Sequence, residues 1–145
     1  AIDISMIVEP FTTRFKEKGT ASIWKTGYEM VPDAQFVVVF YGRRLLEDTE
    51  MGDRFMAAFL KGVRQFALGK TERNVAILNA YTTLGKDELR LMCWPLVRKD
   101  GIINKQSILD QQKWAVENGY LDHPASIDQI WDLGFSLRAS QLLLR

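Results

Sequence analysis

Residues 1–11, AIDISMIVEPF, constrain the fold more than any other stretch. Ile2, Ile4, Met6 and Val8 alternate with Asp3, Ser5, Ile7 and Glu9. That period of two predicts a strand with one apolar face. Pro10 has no N–H to give to a ladder, so the strand ends at Glu9. The same proline suits the first turn of a helix, predicted over Phe11–Lys18. Glu9 is thereby placed where a strand ends and a helix begins, the edge at which open α/β sheets gather ligands. Two roles are open to its carboxylate: a ligand contact, or a cap on the helix that follows.

A strand starting at residue 2 needs neighbours to pair with. It is preceded by no initiator Met, signal peptide or disordered lead-in. The sequence therefore reads as the back part of a longer protein. Gly19 stops the first helix, Thr20–Trp24 reads as a short strand, and residues 25–33 read as a loop from their Gly and Pro. Ala34–Tyr41 is an unbroken β-branched and aromatic run, expected to be a strand covered on both faces. Gly42 closes it, and Arg43–Asp48 makes a helical turn or two.

From Thr49 onward the pattern is helical. Phe55, Met56, Phe59, Leu60, Val63, Phe66 and Ala67 share one side of a helix that Gly69 ends, and that side is expected to face a core. Thr71 caps a helix to about Tyr81, Lys86–Cys93 forms another, and Asn104 opens one to about Asn118 with Gly119 just beyond it. Ser126–Gln129 has the pattern of a capping box, and Ser136–Arg145 reads as a last helix. Two or three strands cannot make a stable sheet beside so many helices, which again suggests that part of the platform is missing.

The charges exclude some functions. Nineteen basic and 18 acidic residues leave a net charge of +1, giving no electrostatic case for nucleic acid or an anionic membrane. The single Cys93 rules out an internal disulfide and a multi-cysteine metal cluster. Gly69-Lys70-Thr71 imitates the end of a phosphate-binding loop, but position 64 is Arg and a helix precedes it. His123, in Asp122-His123-Pro124, has no partner at metal-ligand spacing. Cys93 has no second His to support a nucleophilic dyad and is expected to be a small buried thiol. Glu47, Asp48, Glu50 and Asp53 read as a solvated acidic edge.

Several blocks carry a family resemblance. They are Ala1-Ile2-Asp3 with Glu9-Pro10-Phe11; Val31-Pro32-Asp33-Ala34-Gln35-Phe36; residues 54–64; and Trp94-Pro95 with Asp100-Gly101, residues 107–114, 116–120 and 130–135. In this order the chain resembles the carboxyl-terminal part of an ABC-importer substrate-binding protein of the nitrate/sulfonate/taurine type, related in fold to thiamine-pyrimidine-synthase-like proteins. The resemblance implies an α/β chain, part of a two-lobed periplasmic-binding-protein type 2 fold, with few strands at its amino-terminal side and a mostly helical carboxyl-terminal two-thirds. It implies that residues 1–33 end the second lobe and return through the hinge. Residues 34–145 would be the carboxyl-terminal part of the first lobe with a helical tail, and the amino-terminal half of the family's chain would be absent.

By the same resemblance, Glu9, Phe11 and Tyr41 are the ligand-binding residues of an inter-lobe cleft, with no cofactor, metal or catalytic group. The implied partners are a small-molecule solute and an ABC permease, in a periplasmic or extracellular setting, held at the membrane through the transporter. Self-association is expected of an isolated fragment. The alternative is an enzyme of the thiamine-pyrimidine-synthase type. Arg14, Arg43 and Arg44 are candidates for attracting an anion, against the plainer use of a solvated surface.

Overall fold

The computed structural model describes residues 2–144, among which there are nine helices and no strand. Short helices α1 (Phe11–Glu17), α2 (Gly27–Met30) and α3 (Arg43–Glu47) are joined by irregular chain. The longest helix, α4 (Thr49–Phe66), is followed by α5 (Glu72–Tyr81), α6 (Lys86–Leu91), α7 (Lys105–Glu117), α8 (Ile127–Ile130) and α9 (Gly134–Leu142).

The expectation of an α/β fold is therefore corrected. A strand is completed by main-chain bonds to a neighbour, and the expected strands find none. Ile2, Ile4 and Met6 are more than four-fifths exposed, so the alternation at 2–9 meets no covering layer. Thr20–Trp24 is irregular as well. At Ala34–Tyr41, side chains take the place of a ladder. Gln35 donates its main-chain N–H to Ser107 Oγ (2.8 Å) and accepts from Gln111 Nε2 at its carbonyl (2.9 Å). The Gln35 amide also donates to its neighbour's carbonyl at Val37 (2.6 Å).

Two small cores pack four of the helices in pairs, α4 with α9 and α5 with α6. In the first, Met56 and Leu60 of α4 pack on Phe135 and Ala139 of α9, with Tyr41, Ala57 and Leu143 at the margin. Helix α4 starts because Asp48 accepts from the Met51 N–H (2.9 Å), and Glu50 and Arg64 sit at the ends that the helix dipole favours. Its buried edge is Gly52, Met56 and Leu60, an i, i+4 ridge. Gly52 is needed there, since a Cβ would stand 2.1 Å from Cε1 of Phe135. The core face is narrower than expected: Phe55 and Phe59 stack on each other at 6.4 Å and stay about two-fifths exposed.

The second core joins Val75 of α5 to Leu89 of α6 and to Met92, flanked by Leu78, Leu84 and Trp94. Thr71 caps α5 by accepting from the Asn74 N–H (3.2 Å). Asn74, buried at 3% exposure, satisfies carbonyls left over at the end of α4. Its Nδ2 donates to the carbonyls of Gln65 (2.8 Å) and Gly69 (2.7 Å), and its Oδ1 accepts from Gln65 Nε2 (2.9 Å). Phe66 of α4 stacks on Trp94, at the margin of the second core, with ring centroids 5.1 Å apart. Asn104 caps α7 through the Ser107 N–H (3.2 Å), and Gly119 beyond it adopts φ +74°, both as the sequence predicts. Helix α9 begins two residues earlier than predicted, and Arg145 of that prediction lies outside the described residues, as does Ala1.

Candidate functional site

Glu9 sits at the start of α1 with its carboxylate engaged by three donors. Oε2 accepts from the Thr13 N–H (3.1 Å), while Oε1 accepts from Thr13 Oγ1 (3.0 Å) and from the Cys93 N–H (3.0 Å). It thus caps α1 and ties it to the chain after α6. A second tie runs beside it, a two-pronged pair in which Arg14 Nε meets Glu88 Oε1 and Nη2 donates to Oε2 at 3.1 Å. The hydrogen bond from Arg14 holds the Glu88 carboxyl below its ordinary range. Phe11 lies under the Arg14 guanidinium, 5.9 Å from ring centroid to Cζ, and is half exposed.

Tyr41 belongs to the other core. Its ring meets Phe135 at 4.6 Å and a 50° tilt, and burial pushes its phenol above the ordinary value, offset in part by a hydrogen bond with Ser136. Around this pair Arg138 Nε donates to both oxygens of Asp53 (2.8 and 2.9 Å) and its guanidinium covers Phe135 at 4.8 Å. The three expected contact residues therefore divide: Glu9 and Phe11 lie on the α1–α6 junction, Tyr41 on the α4–α9 core. Asp53 and Arg138 carry no local sign of their pairing, being 85 positions apart. Only the helical phase of Asp53 relative to Gly52 and Met56 hinted that it borders a core.

The remaining candidates have structural uses or none in sight. Lys70 donates to the Arg90 carbonyl (2.7 Å), so the loop that imitates a phosphate site is closed internally. Cys93 is exposed, contrary to the expectation of a buried thiol. His123 is also exposed, and no group of three His, Cys, Asp or Glu suited to a metal occurs among the described residues. The acidic edge is more than a solvated face: Asp48 caps α4, Asp53 holds Arg138, and Glu47 accepts from Arg43 Nε at 2.8 Å.

Two surface grooves do not include the expected contact residues. One, of about 370 Å³, runs along α7 between Leu109, Gln112, Val116 and Pro124; the other, of about 250 Å³, lies between Phe66, Trp94, Pro95 and Val97. No described helix is long and apolar enough to cross a membrane. Comparisons with family models, curated proteins and solved structures found no match.

Proposed function

We propose that the chain serves in solute capture for membrane import, as the component that binds a small molecule and passes it to an ABC permease without transforming it. One observation carries the reading: the sequence blocks at 1–11, 31–36, 54–64 and 94–135 stand in family order over nearly the whole chain. The reading brings a location with it, periplasmic or extracellular. Phe11 is the expected contact residue with most freedom to meet a solute, because half of its surface is open (51%) while Glu9 and Tyr41 already hold internal partners. Arg14 is not a free anion contact as it stands, since Glu88 occupies its guanidinium.

Native mass spectrometry on protein purified without a ligand-stripping step would detect any retained solute. Calorimetric titration with nitrate, taurine and a short alkanesulfonate would measure affinity. The expected outcome is saturable binding of at least one of them, weakened roughly ten- to hundredfold in Phe11→Ala by loss of apolar contact. No retained solute and no saturable heat with any of the three overturns the reading. Binding that is unchanged in Glu9→Gln, Phe11→Ala and Tyr41→Phe alike removes these residues from the site.

A further inference from the structure

Two segments carry an apolar surface that nothing among the described residues covers. In the first, Ile2, Ile4, Met6 and Val8 are 70–85% exposed; in the second, Phe36, Val37 and Phe40 are 68–88% exposed. Much of their main chain is unengaged too: among the described residues no hydrogen bond uses a main-chain group of residues 2–7, 36 or 38–41, whereas the Val8 and Val37 carbonyls and both main-chain groups of Gln35 are bonded within the protomer. Unpaired N–H and C=O groups on β-branched and aromatic stretches are the chemistry that recruits another extended chain.

We infer that a second copy of this chain covers them, residues 3–7 of one protomer pairing antiparallel with residues 36–40 of the other, so that Asp3, Ser5 and Ile7 bond with Phe40, Val38 and Phe36 through free main-chain groups, and reciprocally about a two-fold axis. The helical fold of each protomer is unchanged, and the ladders exist only between copies. Both halves of the pairing are present in one sequence, and each is fastened apart from the other within a protomer. Residues 2–8 lead into α1, which Glu9 and Arg14 tie to Cys93 and Glu88. The second segment is held at one end on α7 through Gln35 and at the other on Phe135 through Tyr41. No hydrogen bond joins the two segments within a chain. Charge selects the direction. Antiparallel pairing sets Asp3 beside the end that continues into Arg43 and Arg44, and neither Asp3 nor Arg44 has an ion-pair partner among the described residues. A parallel register would carry Asp3 to the opposite end. The inference is independent of the solute-capture reading.

Sedimentation of the full chain over a range of concentrations would give its mass, and infrared amide spectra of the same samples would give its sheet content. The expected result is a dimer whose formation brings a sheet signal with it. Ser5→Pro and Phe40→Pro each remove a ladder donor from an exposed position outside both cores, so each should abolish the dimer and the sheet signal while leaving the helical circular dichroism intact. Arg44→Glu should weaken the dimer, and adding Asp3→Lys should restore it. A chain that stays monomeric throughout, a dimer without sheet signal, a dimer indifferent to either proline, or a sheet signal in the monomer each overturns the inference.

Discussion

Residues 2–48 and residues 49–144 are both rich in large apolar side chains, yet every buried residue lies in the second region, from Gly52 to Ala139. The difference is one of main-chain bonding. A helix satisfies its interior N–H and C=O groups by itself, so an apolar stripe needs only another stripe to face. A strand leaves its ladder groups open until a neighbour arrives. The stripe of α4 finds α9 within the chain, whereas Ile2–Val8 and Phe36–Phe40 find no ladder there.

The comparison is broken most forcefully by truncating one side chain in each region. Leu60 is fully buried between α4 and α9 and also touches the loop at Gly101, where a Cβ would come 2.5 Å from its Cδ2. Leu60→Ala should cost about 2–5 kcal/mol through lost contact and a residual cavity. Phe40 is larger but 88% exposed. In dilute monomeric protein, Phe40→Ala should stay within about 0.5 kcal/mol of the parent. Urea titration of both variants measures the contrast. Equal losses would mean that residues 2–48 share a cooperative core with the rest.

Much of the helical region was legible because helix signals are local. Thr71, Asn104 and Gly119 mark the ends they were expected to mark, and Pro10 precedes α1 as predicted. The strands were misread because alternation records what a segment would do beside a neighbour, and whether a neighbour exists is a non-local fact. The same limit hid the candidate site. Nothing near Glu9 announces Cys93, 84 positions away, and nothing near Tyr41 announces Phe135. The helix-capping role left open for Glu9 is realised, and the long-range half of its bonding was beyond sequence reasoning. Phe55 and Phe59 show a finer limit, since helical phase gives a face but not how wide a strip of it the partner covers.

Within α4 itself, two glycines separate packing from propensity. Alanine is favoured over glycine in a helix by about 0.8–1.0 kcal/mol. At Gly62, which is exposed and has nothing within 4 Å of a Cβ, that gain should appear in full. At Gly52 the new methyl meets the Phe135 ring, and overpacking of this kind costs typically 1–3 kcal/mol. Gly52→Ala should therefore lower the thermal midpoint and Gly62→Ala raise it. A rise in both would mean that α4 and α9 are not in close contact.

The Arg14–Glu88 pair crosses between the regions, and its pH dependence tests whether the crossing matters. Glu88 has its folded pKa depressed below the ordinary value of 4.5, first through its hydrogen bond with Arg14. A carboxylate of this kind binds fewer protons in the folded state, so its stabilisation is full above the unfolded pKa and is lost as pH falls through the lower folded one. Arg14→Gln should accordingly be less stable than the parent near neutral pH, with the gap closing on acidification through and below pH 4.5. Both side chains are partly solvated, so added salt should narrow the gap as well. A gap independent of pH would assign the loss to the packing of Arg14 on Phe11 instead.

The smallest effects belong to two helix caps of like chemistry in unlike surroundings. Thr71 accepts from the Asn74 N–H and sets α5 on the second core. Its replacement by Ala should cost about 1 kcal/mol of global stability. Thr26 does the same for α2, accepting from the Glu29 N–H at 3.3 Å while Glu29 Oε2 accepts from the Thr26 N–H at 2.7 Å. By local chemistry Thr26 is the better-built cap, having both arms of the box. Helix α2, however, has only four residues and buries none of them. Loss of its cap can melt the turn without exposing anything that the folded state had removed from water. Thr26→Ala should leave the global denaturation midpoint unmoved and speed hydrogen exchange only at residues 29–31, whereas Thr71→Ala should shift the midpoint itself. If Thr26→Ala shifts the midpoint as far as Thr71→Ala does, the first region is cooperatively bound to the second and the contrast drawn from burial fails.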